Sequence, residues 1–133
     1  MSELPILQAV SIQQPHATAI TAWGKPVDNR RTLTLHRGPI ALHAASNWDQ
    51  RGARSHMLTN AFARHTTSKA YADAVYRDGF DRDDEHLFPR GAIVGLAEIT
   101  GCHRCTGACS PWAIAGRWHW QLANVVPLPQ PIR

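Results

Sequence analysis

The run Gly91-Ala92-Ile93-Val94-Gly95-Leu96-Ala97-Glu98-Ile99 constrains the fold more than any other segment, because it is the clearest β-strand in the chain. A strand needs partners, and three further segments supply them. Residues 6–12 alternate well enough to form a first strand, Ile40-Ala41-Leu42-His43-Ala44 reads as a largely buried one, and Trp118 to Val126 forms the last. Between the first two, Gln13-Gln14-Pro15 opens a helix with Pro15 near its first turn, where a missing N–H costs nothing. Ala17, Ile20 and Trp23 give that helix its buried stripe, and Gly24 is placed to end it.

The remaining segments fill in around these strands. Residues 26–35 are extended or irregular, and Arg37-Gly38-Pro39 is a turn. Trp48 to Tyr76 is polar, Ala-rich and helical, in two pieces broken near Thr66-Thr67-Ser68, and its modest periodicity places it on the outside. Asp78 to Pro89 is a loop, and Gly101 to Gly116 is an irregular, Cys-rich connection. With 133 residues, no repeat and no linker, one domain spanning 1–133 is expected. Its class is α+β: a small, mostly antiparallel β-barrel with helices packed at its openings.

Composition excludes two alternatives. At 44% hydrophobic and 18% charged residues the chain is not natively disordered. No apolar run approaches the ~20 residues of a membrane span, and Met1-Ser2-Glu3-Leu4-Pro5 lacks the features of a signal peptide, so a cytoplasmic location is expected. The net charge of +4 is unevenly laid out: residues 1–72 carry eight basic and three acidic side chains, residues 73–85 two basic and six acidic. Twelve of the fourteen basic residues are arginine, the side chain suited to bidentate phosphate contacts and stacking on bases, although a GC-rich coding sequence gives the same bias.

Lys25, Asp28 and Arg30 are the first functional candidates. They follow the first helix, and in extended chain Asp28 and Arg30 share a face. A lysine, a carboxylate and an arginine at a barrel mouth can bind a phosphate or the polar edge of a base. The plainer reading is a surface ion pair of ~0–1 kcal/mol. Gln13 and His16, at the start of the helix, can add hydrogen bonds at the same mouth. Glu98 shares a strand face with Val94 and Leu96; facing inward it needs a partner, for which Lys25 or Arg30 qualifies.

Near the C-terminus, Cys102 and Cys105 have the spacing of a zinc half-site, which Cys109 with His103 or His119 can complete. Three reduced thiols, or a Cys102–Cys109 disulfide, explain the same residues, and no cofactor other than zinc is suggested. Trp118, Trp120 and Leu122 share one strand face and suit the core, leaving His119 and Gln121 on the other, where His119 looks toward the first helix. Trp112, in a loop, is the aromatic best placed to stack on a base, a contact of ~1–3 kcal/mol. Trp23 reads as a helix-end anchor against the barrel, and His43 as a satisfied core histidine.

Three segments together resemble the ASCH family of the PUA-like superfamily. They are Ser11-Ile12-Gln13-Gln14-Pro15-His16-Ala17 leading into Trp23-Gly24-Lys25-Pro26-Val27-Asp28-Asn29-Arg30, then Arg37-Gly38-Pro39-Ile40-Ala41-Leu42-His43-Ala44-Ala45-Ser46, then Gly91 to Ile99 with Trp118-His119-Trp120-Gln121-Leu122. They cover most of 6–126 apart from roughly 47–88. His16 stands where the family commonly has Trp, and Asp28 where it has Glu. The resemblance implies a PUA-like barrel with a ligand cleft beside the first helix, involving Lys25, Asp28, Arg30 and Ser46, and RNA, other single-stranded nucleic acid or a modified nucleotide as partner.

The resemblance also implies a hydrolase as the alternative. Some relatives act on N-acylated cytidine and others as ribonucleases. The amidohydrolase pattern has a Thr three residues after its Lys, where this chain has Asp28, so Lys25 and Glu98 remain as its polar machinery. Members of the resembled family often continue beyond the position of Pro131-Ile132-Arg133 with another short strand, so the resemblance leaves open, for the domain over 1–133, either a chain cut short there or a domain without that strand. A protein-interaction module using the acidic 73–85 segment is a third reading.

Overall fold

The computed structural model describes residues 7–104 and 110–133. Five strands form one mixed sheet in the order β1-β3-β4-β5-β2, curled into a half-barrel, and three helices accompany it. The strands are β1 (Gln8–Gln14), β2 (Val27–Arg30), β3 (Gly38–Trp48), β4 (Ala92–Arg104) and β5 (Trp118–Ile132), with helices α1 (His16–Ala22), α2 (His56–His65) and α3 (Lys69–Asp78). β1 runs parallel to β3, and the other three pairings are antiparallel. β1 and β2 are therefore the two edges, and Arg30 of β2 reaches the opposite edge by donating to the Ser11 carbonyl at 2.6 Å. A side chain, not a ladder, spans the seam of the barrel.

The concave face of the sheet and one side of α1 enclose a core of Ile12, Ala17, Ile20, Ile40, Leu42, Ala44, Val94, Ala97, Ile99 and Leu122. A second core lies on the other side of α1, where Ala19 and Trp23 meet Leu58, Phe62, Val75, Phe80 and Phe88. Trp23 is thus an anchor for the helical lobe, stacked at 5.1 Å on Phe80, and not for the barrel. At seven residues α1 is too short to be stable alone. Burial of both its faces holds it.

Local chemistry fixes its ends as well. The wholly buried Gln14 accepts from the Thr18 N–H at 2.9 Å, satisfying one of the free N–H groups of the first turn, and donates to the Pro89 carbonyl. Past the helix, Gly24 takes φ +74°, a left-handed conformation suited to glycine, and turns the chain so that the Lys25 N–H still bonds the Ala19 carbonyl.

Three expectations from the sequence need correction. The helical stretch breaks at 66–68, but α2 and α3 enclose an aromatic core with loop residues Phe80 and Phe88 and do not merely lie outside. β5 runs on to Ile132 through Pro127, Pro129 and Pro131. β2 covers only its first four residues, so the proline half of β5 is an edge, where a missing N–H is tolerated. In β4 the register shifts between Leu96 and Glu98, and Ala97 and Ile99 point to the core while Leu96 is exposed. Glu98 consequently sits on the outer face, accepting from Asn124 Nδ2 at 3.2 Å. Among the described residues no helix is long and apolar enough to cross a membrane.

Candidate functional site

A cleft of about 350 Å³ occupies the seam between the two sheet edges. Ser11, Ile12 and Gln13 line it from β1, His16 from α1, Lys25 from the turn after it, and Asp28, Asn29 and Arg30 from β2. Asp49, just past β3, closes one end, and Ile114 and Arg117 from the loop before β5 form the far wall. The cleft thus brings together five residues expected from sequence, Gln13, His16, Lys25, Asp28 and Arg30, and adds Asp49, Arg117 and Asn29.

Lys25 and Asp28 are both buried, at 5% and 7% exposure, despite their charge. Such groups need partners. Asp28 accepts from Arg30 Nε at 2.6 Å, and the same guanidinium lies 4.8 Å over the Trp120 ring. Lys25 finds its partner in His16: Nζ and Nδ1 are 2.8 Å apart, and His16 Nε2 lies 2.7 Å from Asp49 Oδ2. Asp49 in turn accepts from the Gly52 N–H at 3.0 Å, and its own N–H bonds the Gln14 carbonyl. A chain Asp49–His16–Lys25 therefore runs into the cleft. Gly52 makes the approach sterically feasible, since a Cβ there would stand 2.6 Å from both Asp49 Oδ2 and His16 Nε2.

Burial pulls the Lys25 ammonium down to about 8, against partial support from Asp28 and Asp49. His16 is lowered by burial and then by Lys25, with Asp49 opposing, which favours the neutral ring. Burial raises the Asp49 carboxyl, but the Gly52 N–H and His16 outweigh it and hold the group below its ordinary value. The arrangement is a carboxylate, a neutral imidazole and an amine that is partly deprotonated near neutral pH.

Asn29 organises the far wall. Its side chain donates to the Trp112 carbonyl at 3.0 Å and accepts from the Ile114 N–H at 2.9 Å, pinning that loop over β2.

Other candidates lie elsewhere. The Trp112 ring packs half-buried against the helical-lobe core and is not presented to a ligand in the cleft. His119 is 1% exposed, bonds the Ile114 carbonyl, meets His103 edge-on and lines a separate cavity, because the loop before β5 folds over its face of the strand. Ser46 borders another cavity with Arg82, Glu85, Arg90 and Arg133. Glu98, on the outside of β4, does not line the cleft. His43 is only partly buried and shares a 3.0 Å hydrogen bond with Ser11 across β1 and β3, not within the core.

Of the zinc candidates, Cys102 is a free thiol in β4 opposite Trp120, and Cys105 and Cys109 lie outside the described residues. Among the described residues no three potential ligands gather to hold a metal. Compared with protein-family models and with curated protein sequences, the chain shows no match.

Proposed function

We propose that this chain is a PUA-like module of the ASCH type that binds a nucleotide or single-stranded RNA in the cleft between β1, β2 and α1. The observation that carries the reading is the gathering of Lys25, Arg30 and Arg117 with the acceptor Asp28 along one cleft. Lys25 spends one donor on His16 and keeps others for a ligand oxygen. Arg117 makes no ion pair among the described residues, so its guanidinium suits a phosphate. Asp28, an acceptor beside two cations, suits the N–H edge of a base.

Arginines 31, 37, 51, 54 and 64 are exposed and available for backbone contacts with a longer strand. Hydrolysis by Lys25 with Glu98 is less well supported, because that carboxylate is engaged on the outer face of the sheet. The test is a titration of a ribonucleotide and a short single-stranded RNA into the protein at low salt, followed by NMR and fluorescence anisotropy. Lys25→Ala and Arg30→Ala are expected to weaken binding about tenfold or more, in line with ~1.5–3 kcal/mol for charged hydrogen bonds. Unchanged affinity in both variants overturns the cleft assignment.

A further inference from the structure

Asp49, His16 and Lys25 have an arrangement that binding alone does not require. The Asp49 carboxylate accepts the Nε2–H of His16 and so fixes the ring's tautomer, leaving the Nδ1 lone pair aimed at Lys25 Nζ, 2.8 Å away. This is the order of a nucleophilic triad, with an amine where a hydroxyl or thiol more often stands. A lysine acting only as a donor to a ligand, or as a base toward water, needs no imidazole behind it. An amine that must shed its protons as it attacks carbon needs a proton acceptor within reach, and His16 Nδ1 stands where one is required.

We propose that Lys25 is a nucleophile that forms an imine with the aldehyde of a phosphate-bearing sugar held in the cleft, with His16 as its proton carrier and Asp49 as the positioning residue. The proposal rests on the nucleotide-cleft reading above. The neutral Nζ attacks the aldehyde carbon, forming the C–N bond while the carbonyl π bond becomes an alkoxide. His16 Nδ1 takes one proton from Nζ and returns it to that oxygen. The nitrogen lone pair then expels the hydroxyl to form C=N, and the second Nζ proton passes by the same route to the departing oxygen. Two protons leave nitrogen, both end on oxygen, and the products are an imine and water.

The charges around Nζ suit the step. His16, Asp28 and Asp49 face it from α1, β2 and the end of β3, and Arg30 and Arg117 line the same cleft, where they can hold the phosphate. Burial of the amine raises its neutral fraction at neutral pH. Aldehydes of this class occur at abasic positions in nucleic acid and in free sugar phosphates, and the chemistry is shared.

The experiment incubates the full chain with sodium cyanoborohydride and either a single-stranded oligonucleotide bearing one abasic sugar or ribose 5-phosphate, then maps adducts by peptide mass spectrometry. The expected result is a reduced adduct on Lys25, absent from Lys69, the other lysine of the chain. Trapping with one probe alone supports the proposal and identifies the source of the aldehyde. His16→Phe and Asp49→Asn are expected to slow trapping at pH 7 at least tenfold and to shift its pH profile. No adduct on Lys25 with either probe, or equal labelling of Lys25 and Lys69, overturns it. Mapping in the unmodified protein keeps the result independent of whether a variant folds. Nucleotide binding without trapping overturns this inference alone and leaves the cleft reading standing.

Discussion

Lys25 sits buried with a proton affinity reduced to about 8, which carries a stability consequence of definite sign. Its proton is held less tightly in the folded state than in the unfolded one, so between about pH 8 and pH 10.5 the unfolded chain binds more protons. Stability from this group therefore rises with pH across that window and is lowest below it. Lys25→Met, which keeps the stem and removes the charge, is expected to raise the melting temperature at pH 7 by several degrees, with the gain shrinking toward pH 10. Thermal unfolding of both proteins at the two pH values checks this. Gly52 gives a second prediction at the same scale: Gly52→Ala would force Asp49 and His16 apart and weaken their contact. A ¹⁵N spectrum of the imidazole should then show the loss of the fixed tautomer while the fold persists.

Among the elements, α1 does most to place the site. It is pressed between two cores, and its first residue, His16, meets the side chain of Lys25 beyond its last turn. Asn29→Ala would release the loop at 112–114 from β2. Ligand affinity is expected to fall severalfold and the melting temperature to drop with it, since Trp112 of that loop packs against the helical-lobe core; titration and thermal unfolding side by side test this.

Much of this element layout was legible in the sequence, because apolar strands and a Pro-to-Gly helix leave local signals. Lys25, Asp28 and Arg30 were legible too, being close in sequence. Asp49 was not: it lies 33 residues from His16, and nothing in the pattern around it distinguishes it from a surface turn. His119 and Glu98 were misplaced because face assignments fail once a bulge or a covering loop intervenes. The aromatic core of the helical lobe escaped notice because Phe62, Phe80 and Phe88 come from a helix and a loop.

At the scale of the whole molecule, the charge layout and the open seam act together. The acidic segment at 73–85 belongs to α3 and the loop after it, and none of its residues lines the cleft. RNA affinity is accordingly expected to fall steeply between 50 and 200 mM salt, and Arg117→Ala to flatten that slope by about one contact. Anisotropy titrations across the series measure both. The seam itself is crossed by Arg30, whose guanidinium ties β2 to the Ser11 carbonyl of β1 while also bonding Asp28. A ligand phosphate that draws Arg30 toward itself competes with that tie. Occupancy would then unfasten the sheet margin as it fills the cleft, so amide hydrogen exchange along β1 would quicken in the bound protein, the reverse of the rigidity that binding ordinarily brings.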